Sequence, residues 1–291
     1  MRPMIKKDIQ LAFNKAAKTY AQAAVLYQTT GERLLTRLDY MLCEPKTILD
    51  VGCGLGDFSE ALARRYPEAQ VVALDFSEKM IQEGRVSHAD ASSASSFEWL
   101  MADMEKLPFQ AESMDMIFAN QSIQDVDDIA LLFREFHRVL KPGGALLFST
   151  IGPDTLKELK EAWACVDTYG HINECKDLHT LGDALLSQQF GQPVVDREEM
   201  ILHYGNPQAL LKDLKEQGSY NIHRLRRRGL MGLDALDYLL NGLEQQRQEN
   251  GKIALTYEVL YGHAWRGENK SPYDAETGET FITLDKLRRV R

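Results

Sequence analysis

The chain has 291 residues, a formal net charge of −9 and 44% hydrophobic residues. That length suits one large α/β domain with helical additions, and the apolar fraction is ample for its core. The acidic balance excludes indiscriminate nucleic-acid binding, which needs a basic face, and no apolar run approaches the roughly 18 residues of a membrane helix. The N-terminal stretch Met1 to Asp8 carries charge with no apolar run behind it, so no signal peptide is expected. Ile5 to Leu42 reads as two helices. Ile9, Phe13, Ala16, Ala17 and Tyr20 form one stripe, and Leu26, Leu34, Leu35, Leu38 and Leu42 a second. This predicts an N-terminal helical unit over 1–44.

A buried strand over Thr47 to Val51 then ends in glycines at alternate positions, Gly52, Gly54 and Gly56, and Asp57 opens a helix. Strand, tight turn and helix N-terminus form the place where open α/β sheets take nucleotides. The dinucleotide fingerprint puts its third small residue where this chain has Asp57, and Asp50 stands at the mouth of the turn. Carboxylates there repel a pyrophosphate and favour a ligand bearing an ammonium and a sulfonium, as S-adenosylmethionine does. Asp75 follows a second apolar run, about 20 residues after Gly56, where an acid accepts from ribose hydroxyls. Asp103, after a third run, is placed to accept from the adenine amino group. Cys53 reads as a small buried thiol. The four cysteines make neither a C-x-x-C pair nor a metal-like cluster with the histidines, so a reduced, cytoplasmic, metal-free protein is expected.

Strands near 47–51, 70–74, 97–101, 115–120 and 144–150 alternate with helices and predict a parallel sheet. Ser87 to Ser96 reads as a solvated connector, and Lys141-Pro-Gly-Gly144 as the stop of a helix over 128–140. Beyond 150, helices are expected over 154–169, 178–189, 207–217 and 233–248, with strands over 194–204 and 253–265. The fold class is thus Rossmann-like α/β: a mostly parallel seven-stranded sheet with an antiparallel last strand. Insertions at about 154–190 and 206–250 are expected to form a helical lid, within a domain over 45–265 followed by a polar tail at 266–291. Tyr257, Tyr261 and Trp265 alternate on the last strand and read as core.

Four segments in order, Asp50-Val-Gly-Cys-Gly-Leu-Gly56, Ala73-Leu-Asp-Phe-Ser-Glu-Lys-Met80, Ala102-Asp-Met-Glu-Lys-Leu-Pro-Phe109 and Leu140-Lys-Pro-Gly-Gly144, resemble the class I S-adenosylmethionine-dependent methyltransferases. The resemblance implies cofactor contacts from Asp50, Gly52, Cys53, Gly54, Gly56, Asp75, Phe76, Met80, Asp103, Met104 and Asn120. It also implies that Tyr20, at the end of Phe13-Asn-Lys-Ala-Ala-Lys-Thr-Tyr20, closes over the methionine part; packing alone is the other reading of that ring. Gly152-Pro-Asp-Thr-Leu-Lys-Glu-Leu159, Gly182-Asp-Ala-Leu-Leu186, Arg226-Arg-Arg-Gly-Leu230 and Thr256-Tyr-Glu-Val-Leu-Tyr-Gly-His-Ala-Trp265 narrow the likeness. They resemble the malonyl-acyl carrier protein O-methyltransferases of biotin synthesis, which methylate the free carboxylate of a malonyl thioester. Acyl carrier proteins are acidic, so the family resemblance implies docking on Arg226, Arg227 and Arg228, for which a solvated helix end is the alternative.

This chain departs from the family at three places. Asn120-Gln-Ser-Ile-Gln-Asp125 replaces Asn-Leu-Ala-Leu-Gln-Trp, Gln28 stands for a common arginine, and Glu174-Cys175 for Arg-Phe. Gln124 and Asp125 are therefore expected at the substrate side, with His171 and His179 either binding substrate or hydrogen-bonding structurally. The departures keep two alternatives open: methylation of another small carboxylate, and an S-adenosylmethionine-binding assembly factor or hydroxylase of related fold. A carboxylate with pKa near 4 is already ionised at pH 7, so no catalytic base is assigned and proximity is expected to carry the reaction.

Overall fold

The computed structural model describes residues 3–89, 97–218, 221, 223–227, 229 and 231–267. Arg228, the tail beyond residue 267 and most of the Ser87 to Ser96 connector lie outside the described residues. Seven strands form one sheet: β1 (Thr47–Val51), β2 (Gln70–Asp75), β3 (Glu98–Met101), β4 (Met114–Asn120), β5 (Leu140–Ile151), β6 (Phe190–Tyr204) and β7 (Ile253–Arg266). Their order is β3-β2-β1-β4-β5-β7-β6. The pairs from β3 through β5 are parallel, and β7 runs antiparallel between β5 and β6. Strand order reverses at β1/β4, the switch point at which such sheets open a crevice.

The central strands are apolar throughout because both faces are covered. Ile48, Met116, Phe118 and Leu147 pack with α2 (Val25–Arg37), α3 (Asp57–Arg65), α6 (Lys157–Ala164), α8 (Pro207–Glu216) and α9 (Leu233–Gln245). Leu49, Ile117, Leu146 and Phe148 pack on the other face with α5 (Ile129–Val139) and α7 (Leu178–Ser187). The first helix, α1 (Pro3–Ala23), contacts α4 (Glu78–Ser87) and α8. Leu26, Tyr27, Leu34 and Leu38 are buried in the same core as β1 and β7, so the N-terminal helices share the core of the sheet.

Two features differ from the sequence reading. Lys141 to Gly144 does not merely stop a helix: α5 ends at Val139, β5 has already begun, and the four residues bulge between the pairs Met114↔Leu140 and Met116↔Ala145. In addition, α7 is no lid. It packs on α5 and β6 against the sheet face opposite α6, α8 and α9.

Candidate active site

The glycine loop is organised around Asp75 at the C-terminal end of β2. One carboxylate oxygen accepts from the Gly54 backbone N–H at 3.0 Å and the other from Ser77 N–H at 2.7 Å. Ser77 then caps α4 by accepting from Met80 N–H. Gly54 has φ +57°, and a Cβ there would point into the space before Tyr20 and Tyr27, 3.9 Å from each. Gly52, at φ +70°, has no such room: its Cβ would lie 2.3 Å from Cβ of Ser122. Ser122 in turn donates to the Val51 carbonyl at 2.7 Å, tying the end of β1 to the loop after β4.

Around this loop lies a first cavity lined by Gly52, Gly54, Leu74, Asp75, Phe76, Met80 and Met104, with Asp103, Glu105 and Asp125 adding acid. The N-terminal helices close it. Gln10 donates to the Phe76 carbonyl at 2.6 Å, Asn14 Oδ1 accepts from Ser77, and Lys6 bridges Asp103 and Glu105. Tyr27 donates to the Cys53 carbonyl at 3.1 Å, and Phe13, Tyr20 and Tyr27 form an aromatic wall.

Several sequence candidates have other surroundings. The carboxyl of Asp50 is buried below the loop and accepts from Ser59 at 2.5 Å, outside the cavity lining; burial, opposed by the Ser59 hydrogen bond, pushes its pKa up to about 7. Cys53 is wholly buried, and its thiol pKa is driven well above the usual range by burial. Gly56, at φ +90°, makes room for the Trp99 ring. Asn120 is buried in a network: its Oδ1 accepts from Thr30 and Ser149, and its amide donates to the Tyr27 carbonyl. Their contribution runs through the loop and the helices. Asp75 does line the cavity, with its pKa raised by burial to about 6.

A second cavity of about 290 Å³ adjoins the first. Phe13, Tyr20, Tyr27, Gln121, Gln124 and Asp125 line both, so the aromatic wall and the polar 121–125 segment stand at the junction. Asp125 is hydrogen-bonded to Asn173 and faces the charge of Lys176, yet burial raises its pKa to about 6. Further lining comes from Thr155, Leu159, His171, Cys175, Gln217 and Tyr257. Tyr257 is thus more than core: it forms part of the cavity wall. His171 stacks flat on Trp163 at 3.6 Å and pairs with Asp167 at 2.6 Å. His179 is exposed on α7, away from both cavities. A third cavity, lined by Lys160, Trp163, Tyr169 and His223, shares His171, Ile172, Asn173 and Cys175 with the second. Beside it Arg224 pairs with Asp127, Arg226 with Asp8, and Arg227 sits 6.0 Å from the Tyr169 ring centroid. Among the described residues no helix is long and apolar enough to cross a membrane, and no group of three potential metal ligands occurs.

Sequence reasoning missed Lys6, Tyr27 and Glu105, whereas Gln121 stood within the polar 120–125 departure. Tyr27 stands seven residues after Tyr20 and carried a detectable signal as a second aromatic; Lys6 and Glu105 are brought in only by tertiary contacts.

The strand order, the crevice at β1/β4 and the glycine loop define a class I methyltransferase fold, and a methyltransferase domain model matches residues 49–148. Solved structures agree in fold. YcgJ of Bacillus subtilis superposes with a TM-score of 0.58 at 17% identity, covering 81% of this chain and 98% of that one. Haemonchus contortus phosphoethanolamine N-methyltransferase 2, solved with S-adenosyl-L-methionine, gives 0.55 at 18% identity over 88% and 57%. Sequence relatives are more specific. The malonyl-acyl carrier protein O-methyltransferase of Legionella pneumophila is 39% identical over 286 residues, covering 97% of this chain and 98% of that protein. A Gallionella capsiferriformans protein of the same name is 41% identical over 270 residues, 90% of this chain and 91% of its own. The chain belongs to the malonyl-acyl carrier protein O-methyltransferase family.

Proposed function

We infer that the protein methylates the free carboxylate of a malonyl group held as a thioester on acyl carrier protein, using S-adenosylmethionine. Identity across nearly the full length of both chains to enzymes of that name carries the reading. The first cavity fits the cofactor. Asp75, Asp103, Glu105 and Asp125 line it, with Lys6 paired to Asp103 and Glu105, a balance suited to an ammonium and a sulfonium. Asp75 accepts from the backbone N–H groups of Gly54, Ser77 and Phe76 and, lining the cavity, retains acceptor capacity for a ribose hydroxyl. When bound, S-adenosylmethionine supplies an electrophilic methyl group.

The residues then have three tasks: to orient a carboxylate, to exclude water and to hold both partners at the junction. A carboxylate is ionised at pH 7 and needs no base. Orientation of bound reactants supplies roughly 7 to 11 kcal/mol of barrier lowering. Phe13, Tyr20 and Tyr27 exclude water on one side of the junction, and segment 155–175 with the end of α8 covers the other. The shared lining of the second and third cavities offers an extended thioester arm a continuous route past Trp163 and Tyr169. Arg224 and Arg227 are exposed near that outer end and are the docking candidates for an acidic carrier. Such a step places the protein in the cytoplasm, in biotin precursor synthesis, as the family resemblance implies.

The test is incubation of the purified protein with labelled S-adenosylmethionine and malonyl-acyl carrier protein, followed by mass measurement of the thioester. A gain of one methyl is expected. An unchanged mass with intact cofactor binding overturns the reading.

A further inference from the structure

The junction holds a donor for which no described residue supplies an acceptor. The amide nitrogen of Gln121 is buried and, among the described residues, has no hydrogen-bond partner. A buried, unpaired amide costs stability, so such a group points to a function. Gln121 also adopts φ +49°, a left-handed backbone that side chains other than glycine rarely take. Its surroundings enforce that conformation. Gln121 N–H donates to the Ser149 carbonyl and lies 3.0 Å from the Ser149 hydroxyl; that hydroxyl donates to Asn120, which also accepts from Thr30 and donates to Tyr27. A buried network from three elements thus turns the chain at the end of β4 and holds the Gln121 side chain where the two cavities meet.

Resting on the proposed function, we propose that the Gln121 side-chain amide donates to the substrate carboxylate and positions it for methyl transfer. The neighbouring groups restrict the anion to that side. Gln124 donates its amide to the Gln121 carbonyl at 2.9 Å, which leaves an unpartnered carbonyl oxygen that repels a carboxylate. Asp125 is engaged by Asn173 and Lys176. The hydroxyl of Tyr257, on the wall of the second cavity, is the other buried lining donor without a partner among the described residues. A malonyl thioester has two acceptor groups, a carboxylate and a thioester carbonyl; Gln121 at the junction takes the first and Tyr257 the second. Gln121 is thus a specificity residue that recognises charge at the reacting end.

The assignment is tested with the full chain carrying Gln121→Leu or Gln121→Glu, the second being nearly isosteric but without the donor. Binding of S-adenosylhomocysteine, by calorimetry, reports folding, and because Gln121 also lines the cofactor cavity the kinetics are read with S-adenosylmethionine saturating for each variant. A hydrogen bond to a charged group predicts a loss of about 10- to 100-fold in kcat/KM on malonyl-acyl carrier protein for the leucine variant, and more for the glutamate. The second readout is affinity for the malonyl carrier against its neutral methyl ester. The wild type is expected to prefer the carboxylate, and both variants to lose that preference. An active wild type with unchanged variants, or variants that lose both ligands equally, overturns the role of Gln121 alone. A wild type that methylates no malonyl thioester overturns the underlying function, and this assignment with it.

Discussion

The cavity assigned above to the cofactor and the one assigned to the substrate are built in different ways. The cofactor cradle comes mainly from strand ends and the loops that follow them, β1 with its glycine loop and β2 with Ser77, and its polar contacts are largely backbone. The substrate side is assembled from α1, segment 121–125, segment 155–175, the end of α8 and Tyr257. A cradle of backbone N–H groups tolerates few changes, because its geometry is the chain itself. A wall of side chains from distant segments can change one residue at a time without altering the sheet.

Gly52 is the place to break this comparison, since it lines the first cavity and packs against Ser122 of segment 121–125. Gly52→Ala sets a Cβ against Ser122 in a left-handed conformation, and S-adenosylhomocysteine affinity, measured by calorimetry, is expected to fall at least about 100-fold. A second effect concerns the acid below the cradle. Burial raises the pKa of Asp50 to about 7 in the folded protein, against roughly 4 when unfolded. The folded state therefore holds its proton longer, and the stability this gives is full below about pH 4 and is lost as pH rises towards 7. About three pKa units correspond to roughly 4 kcal/mol. Denaturant unfolding of the cofactor-free protein at pH 5 and pH 8 is expected to show a smaller drop for Asp50→Asn than for the wild type.

Smaller effects sharpen the contrast. Tyr27→Phe removes the hydrogen bond to the Cys53 carbonyl and is expected to weaken cofactor binding about threefold to tenfold, a cost of about 1 kcal/mol. At the outer end, Arg224→Glu with Arg227→Glu is expected to raise KM for the carrier protein several-fold at low salt, and less as salt rises. Stopped-flow association across an ionic-strength series checks the second, and unchanged rates would assign these arginines to the Asp127 pair and the Tyr169 ring alone.

Local signals were legible and non-local ones were not. The glycine spacing, the apolar runs of β1, β2 and β4 and the position of Asp75 each depend on neighbours within a few residues, and the strands lie where periodicity put them. Lys141 to Gly144 read as a helix stop because the pairing with β4 that makes it a bulge comes from a strand some 25 residues earlier. Asp50 read as a ligand-facing acid because its partner Ser59 is on the next helix. Tyr257 read as core from alternation alone, which cannot distinguish a filled interior from a cavity wall.

By itself the sequence determined the parallel sheet and the crevice loop, since hydrophobic period and glycine conformation are properties of short stretches. The tertiary structure alone decided which carboxylates line the first cavity, that Gln121 is held in a left-handed turn by Ser149 and Asn120, and that the two cavities share lining residues. Those outcomes depend on which distant side chains satisfy each buried polar group, and that is settled only when the strands and helices pack.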